Sequence, residues 1–204
     1  MSLVDNGRIV ARRTRREIER IAAEARADLG LSPDGRVSML PILEQVLYEV
    51  IEGYDFRVCE DREMGNMEGL TDDLKPIIYL KNSTYLALER GENRPRMTAA
   101  HEFGHLLMHC QMPTYRAFST EYDPLYDPER QANVFAAAFL MPEDAFRRCT
   151  TVKEAMKAFG VSADAVLVRA RNLEHKLTQE RAILTVKPVR KLNKKKGTSK
   201  RKSP

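Results

Sequence analysis

Cysteine is scarce in this chain: Cys59, Cys110 and Cys149 are odd in number, widely separated and include no C-x-x-C pair. That pattern excludes a disulfide framework and a cysteine-built zinc site, and it fits a reducing compartment. Long apolar runs are missing as well. No window approaches the roughly 18 apolar residues of a membrane span, and no apolar core follows the basic cluster Arg12, Arg13, Arg15 and Arg16. A cytoplasmic protein with no export signal and no membrane contact is expected. Histidine is nearly as scarce, at four residues in 204, and three of the four crowd into positions 101 to 109.

The length suits one well-buried core and is short for two full enzyme domains. The formal charge of +5 is unevenly placed. Nine of the 34 Lys and Arg, and none of the 29 acids, lie from Lys187 to the end, so 25 bases against 29 acids leave residues 1 to 186 at −4. Residues 187 to 204 read as a basic, disordered tail, whose commoner purpose is solubility and whose lesser reading is contact with nucleic acid.

The remainder predicts an α+β domain, mainly helical. Thr14-Arg15-Arg16-Glu17 is a capping box, and Ile18, Ile21, Ala22, Ala25 and Leu29 continue at helical spacing to Gly30. Ser38 is placed to cap a second helix with Pro41 in its first turn. Between Gly53 and Leu80 the segments Phe56–Val58, Met67–Leu70 and Ile77–Leu80 suggest a small, mostly antiparallel sheet. A helix from about Arg94 to His109 follows, then a loop from Met112 to Pro128 and a helix opened by Glu129. Two closing helices near residues 151 to 177 resemble a helix-turn-helix. Their Ala163, Asp164 and Ala165 offer bases no good donor, so a pair packed on the core is the better reading.

The helix from Arg94 contains His101-Glu102-Phe103-Gly104-His105. Histidines four apart share a helix face and can hold one zinc ion, and Glu102 between them is placed to take a proton from the attacking water. Two imidazoles leave zinc under-coordinated. His109 lies about 12 Å along the helix from His101 and is turned by about 80°, which excludes convergence on one ion and leaves it a packing or supporting role. Glu129 answers the need better: it begins a separate helix after a loop long enough to turn the chain back. It also suits the positive end of its own helix, and the two roles are compatible. Asn133, one turn on, is placed to accept the ring N–H of a ligating histidine.

The stretches Thr98 to His109 and Glu129 to Pro142 together resemble the ImmA/IrrE family of zinc metallopeptidases. The resemblance implies a zincin fold of the gluzincin kind over residues 1 to 186, including the helix pair, with one zinc ion held by His101, His105 and Glu129 and with Glu102 as general base. It further implies a protein substrate, a separately encoded helix-turn-helix repressor cleaved to switch on a stress or mobile-element response. Along that reading the substrate lies extended on a sheet edge at Ile77–Leu80 or its neighbour, and Tyr115, Tyr122, Tyr126 and His109 are candidates for stabilising the oxyanion. The rival reading is a zinc-containing module that binds a repressor or DNA without hydrolysis. A bare zinc scaffold has no use for Glu102, which favours the hydrolase.

Because Lys194-Lys195-Lys196-Gly197 and its surroundings have no apolar face to bury, deletion of residues 191 to 204 is expected to leave the thermal midpoint nearly unchanged. Thermal unfolding of the truncated chain checks this, and a drop of many degrees would mean that the segment packs on the body.

Overall fold

The structure, a computed structural model, describes residues 8–113, 115–116 and 123–178. The basic tail, Tyr122 and the side chain of Tyr115 lie outside the described residues. The chain opens with strand β1 (Arg8–Ile9) and helix α1 (Arg15–Asp28). The expected capping box is present: Thr14 accepts from Glu17 N–H, while Glu17 accepts from Thr14 N–H at 2.7 Å. Ile18, Ala22 and Ala25 of α1 turn inward.

Helix α2 (Met39–Pro41), a π-helical turn (Ile42–Val46) and α3 (Leu47–Val50) follow one another without a break. Ser38 stands at the expected start, but its hydroxyl makes no capping bond. The third helical position, where a cap finds its donor, is Pro41, which has no N–H to give.

Strand β2 (Asp55–Cys59), α4 (Asp61–Met64), β3 (Gly69–Thr71) and β4 (Ile77–Lys81) build a three-stranded sheet in the order β2-β4-β3. The α+β class holds, yet the sheet is mixed rather than mostly antiparallel. β4 pairs antiparallel with β3, Thr71 facing Ile78, and parallel with β2, Phe56 facing Ile78. Helix α4 carries the chain away from β2, so β3 returns on the other flank of β4, and the tight turn that Asp72 stabilises on the N–H groups of Leu74 and Lys75 leads into β4. Ile78 and Leu80 of the central strand are fully buried.

After α5 (Asn82–Glu89) comes α6 (Asn93–Met108), which carries both histidines of the motif. Strand β5 (Tyr115–Arg116) pairs antiparallel with β1, a 3-10 turn spans Pro124–Tyr126, and α7 (Pro128–Leu140) follows. Helix α6 lies between the sheet and α7, and α1 covers the far side of α7. Phe103 meets Phe135 and Phe139 edge-on, with centroids 5.6 and 5.3 Å away. The alanines expected to permit close approach, Ala132, Ala136, Ala137 and Ala138, are all buried.

Helices α8 (Glu143–Arg147), α9 (Val152–Phe159) and α10 (Ala163–Asn172) close the chain. Helix α10 stops at Asn172, short of the expected 177, because Glu174 takes a positive φ and the chain turns back to bridge Thr178 to Thr151. The helix pair packs on the core through Ala155, Phe159, Val166 and Ala170. Arg169 is 1% exposed, donates to the Met141 carbonyl at 3.0 Å, and pairs with Glu19 of α1. An arginine so consumed cannot meet a base edge.

Removing one partner of a buried, hydrogen-bonded pair strands the other charge. Glu19→Ala is therefore expected to cost about 3–5 kcal/mol, read as a lowered denaturant midpoint. Arg148→Ala, which breaks an exposed pair with Asp34, is expected to cost no more than about 1 kcal/mol.

Candidate metal centre

Two helices deliver the site. Because α6 repeats every 3.6 residues, His101 and His105 project from one face, and their Nε2 atoms stand 3.0 Å apart. Glu129 reaches them from the first turn of α7, its carboxylate oxygens 3.2 Å from His101 Nε2 and 3.3 Å from His105 Nε2. Glu129 does not cap its own helix. Asp127 does so, accepting from the N–H groups of Glu129 and Arg130 just ahead of Pro128, which leaves the Glu129 carboxylate free to face the histidines.

His101, His105 and Glu129 are the group of donors able to hold a metal ion among the described residues. The three separations test the fit. Ligands at about 2.0–2.1 Å from a tetrahedral zinc lie about 3.3 Å from one another, and the observed edges of 3.0, 3.2 and 3.3 Å agree with that triangle. Two imidazoles and a carboxylate also suit zinc, with a fourth position left for water.

Each of the two rings is held by its other nitrogen. His101 Nδ1 lies 3.2 Å from Asn133 Oδ1, the partner expected from sequence. His105 Nδ1 lies 3.0 Å from His109 Nδ1, and His109 Nε2 lies 3.1 Å from Gln131 Oε1. The direction of this chain is fixed at its far end. Gln131 Nε2 donates to the carbonyls of Ala11 and Leu125, at 2.9 and 2.8 Å, so its Oε1 must accept from His109. His109 then accepts from His105, which leaves the His105 Nε2 lone pair facing the site. His109 is thus a supporting residue, as its position along α6 implied. Buried and committed at both nitrogens, it is not the oxyanion donor that the sequence left open.

Glu102 is 6% exposed and wedged between α6 and β3. Thr71 Oγ1 lies 2.9 Å from Glu102 Oε2 and 2.9 Å from the Glu102 carbonyl. A Cβ at Gly69 would fall 2.7 Å from Glu102 Cγ, so only glycine lets β3 pass this close. Burial raises the Glu102 carboxyl above its usual range, against the opposing pull of His101, Thr71 and His105. Burial also opposes charging His101, but the bond to Glu129 and the nearby Glu102 outweigh it and raise its pKa. Hydrogen bonds from His101 and His105 hold Glu129 far below the ordinary carboxylate range. Burial pushes His109 down to about 4, consistent with a neutral relay.

Sequence reasoning missed Thr71, Gly69, Asp127 and Gln131. Asp127 had a local signal, an acid directly before proline at a helix start. Gln131 had a weaker one, a polar side chain four positions before Phe135 on a face that proves buried, where an amide needs partners.

The family model described as the IrrE N-terminal-like domain, a peptidase family, matches residues 61–171, more than half of the 204 residues and all of the site. The chain belongs to this family. This IrrE N-terminal-like peptidase domain bears out the resemblance carried by the two motifs. A solved transcriptional regulator from Mycobacterium tuberculosis is similar in fold, with a TM-score of 0.50 at 17% identity over 76% of this chain. The match covers 46% of that regulator, so the chain spans less than half of its length. No curated protein matches significantly.

Replacing Gln131 by Ala removes the group that sets the direction of the relay. Zinc affinity, measured by chelator competition, is expected to fall about 10–100-fold in Gln131→Ala and in His109→Ala, and to fall further in His105→Ala and Glu129→Ala. A raised His101 pKa means that protons compete for its Nε2 at higher pH than usual. Affinity is therefore expected to weaken as pH falls through that value.

Proposed function

We propose that the chain is a zinc-dependent endopeptidase of the cytoplasm that cleaves a separately encoded helix-turn-helix repressor or a similar regulatory protein. His101, His105 and Glu129 are the metal ligands, Glu102 is the general base, and residues 1 to 186 form the peptidase domain. The observation that carries the reading is the clamp on Glu102: a scaffold that only bound metal would need no buried carboxylate held beside the ligands by a neighbouring strand.

Zinc bound there supplies Lewis acidity, lowering the pKa of its water to near 7 and polarising the scissile carbonyl. Glu102 takes the proton of the attacking water and passes it to the leaving amine. Burial makes its carboxylate more basic than one in water, and the bond to Thr71 fixes the rotamer. Asn133 and the His109–Gln131 chain hold the two imidazoles in the tautomers that present Nε2.

The substrate lies along β3. In the order β2-β4-β3, strand β4 is central and offers no free edge, so the expectation of Ile77–Leu80 passes to its neighbour. Among the described residues β3 pairs with a strand on one side only, and a peptide would add a strand on its other side by main-chain hydrogen bonds. Gly69 and Thr71 of that strand touch Glu102, which sets a peptide along this edge beside the base. The regulator-like fold of the mycobacterial neighbour and the family both suit a regulatory partner, and no helix among the described residues is long and apolar enough to cross a membrane.

Glu102→Gln keeps the size and removes the base. It is expected to retain zinc and the partner yet cut at least about 10²–10⁴ times more slowly. The test incubates wild type and variant with any helix-turn-helix protein found encoded beside this chain and follows fragments by mass. Binding by both with no fragment from either, across metals, would establish the non-hydrolytic module instead.

A further inference from the structure

On the other side of α6's first turns, two arginines meet without an acid. Arg96 is 2% exposed, and its guanidinium donates to the carbonyls of Val37, Phe159 and Gly160, the last two at the C-terminal end of α9. Arg36 lies on the surface and donates from Nη2 to the Gly91 carbonyl at 3.2 Å. The two heads converge on Gly160, where an added Cβ would overlap both Arg96 Nη1 and Arg36 Nε.

Carbonyl dipoles satisfy these N–H groups but do not cancel two full charges. Among the described residues neither guanidinium pairs with a carboxylate. The acids nearest in sequence are engaged elsewhere, Asp34 with Arg148 and Glu92 with Arg90. Burial, and after it the Arg36 charge, push the Arg96 guanidinium down to about 10, with no acid acting in the other direction.

The arginines also border a space. A pocket of about 290 Å³ is lined by Arg36, Val37, Ser38, Met39, Leu88 and Arg96, among others. Ser38 brings its hydroxyl, which the proline at the third helical position leaves without a capping bond. Arg36 has four N–H groups beyond the one on Gly91, and the Arg96 head keeps one beyond its carbonyl partners. Donors from two guanidinium forks and a hydroxyl, lining one pocket, match the several oxygens of a tetrahedral anion better than the two oxygens of a carboxylate.

We propose that the Arg36–Arg96 pocket binds a tetrahedral oxyanion, a phosphate or the phosphate group of a small molecule. Its occupancy joins the loop before α2, the start of the helix that carries His101, and the turn between α9 and α10. The site is separate from the metal centre and does not depend on hydrolysis.

The test is thermal unfolding of the full chain in inorganic phosphate, glycerol phosphate or acetate, with chloride holding ionic strength constant. Wild type is expected to show a saturable rise in Tm of about 3–6 °C at about tenfold excess over the dissociation constant, and acetate little or none. Equal responses to the two phosphates assign the free anion, whereas a larger response to the ester assigns the phosphate group of an organic molecule. Arg36→Gln, at an exposed position, is expected to fold and to lose the response. A response that survives in Arg36→Gln lies elsewhere, the metal centre included, and overturns the proposal, as does a wild-type response no larger than that to chloride. Arg36→Glu places an anion inside the pocket. In chloride alone it is expected to melt above Arg36→Gln, and a lower Tm would show that no uncompensated charge exists there.

Discussion

Helices α6 and α7 cross where Gly104 faces the ring of Phe135, and that distance of approach governs the rest. A Cβ at Gly104 would lie 2.8 Å from Phe135 Cδ1, closer than packed atoms allow. With glycine there, Phe103, Phe135 and Phe139 lock the crossing, and the first turn of α7 arrives level with His101 and His105. The motif's fourth residue is thus a packing residue that sets how near Glu129 of the neighbouring helix comes to His101 and His105. Widening the crossing would move Glu129 off the histidines while leaving both helices intact.

A second constraint is the polarity of hydrogen bonds. Imidazole and amide groups are ambiguous alone, each able to present a donor or an acceptor. Here the ambiguity ends at two backbone carbonyls that can only accept, and the choice propagates through Gln131 and His109 to His105. Main-chain groups outside the two helices of the site, before α1 and just before α7, therefore orient His105.

Legibility in the sequence followed the range of the interactions. The helices with the candidate ligands were readable because periodicity, caps and the H-E-x-x-H spacing are local, and Asn133 was readable because it lies one turn from Glu129. The parallel pairing of β2 with β4 was not, since strand direction depends on where α4 carries the chain. Thr71 meets Glu102 across 31 positions and Gln131 meets His109 across 22, distances over which no pattern of spacing survives. The Ser38 cap failed for a local reason, the proline three residues on, that was on view beside it.

The carbonyls of Ala11 and Leu125 are supplied by the main chain, and every amino acid supplies the same one. A scan that exchanges side chains one at a time would pass over both positions as tolerant. The orientation of His105 is nonetheless written there, in the path of the backbone. A shift of that path, by an inserted or deleted residue between Val10 and α1, would turn the ring without altering any residue of the site.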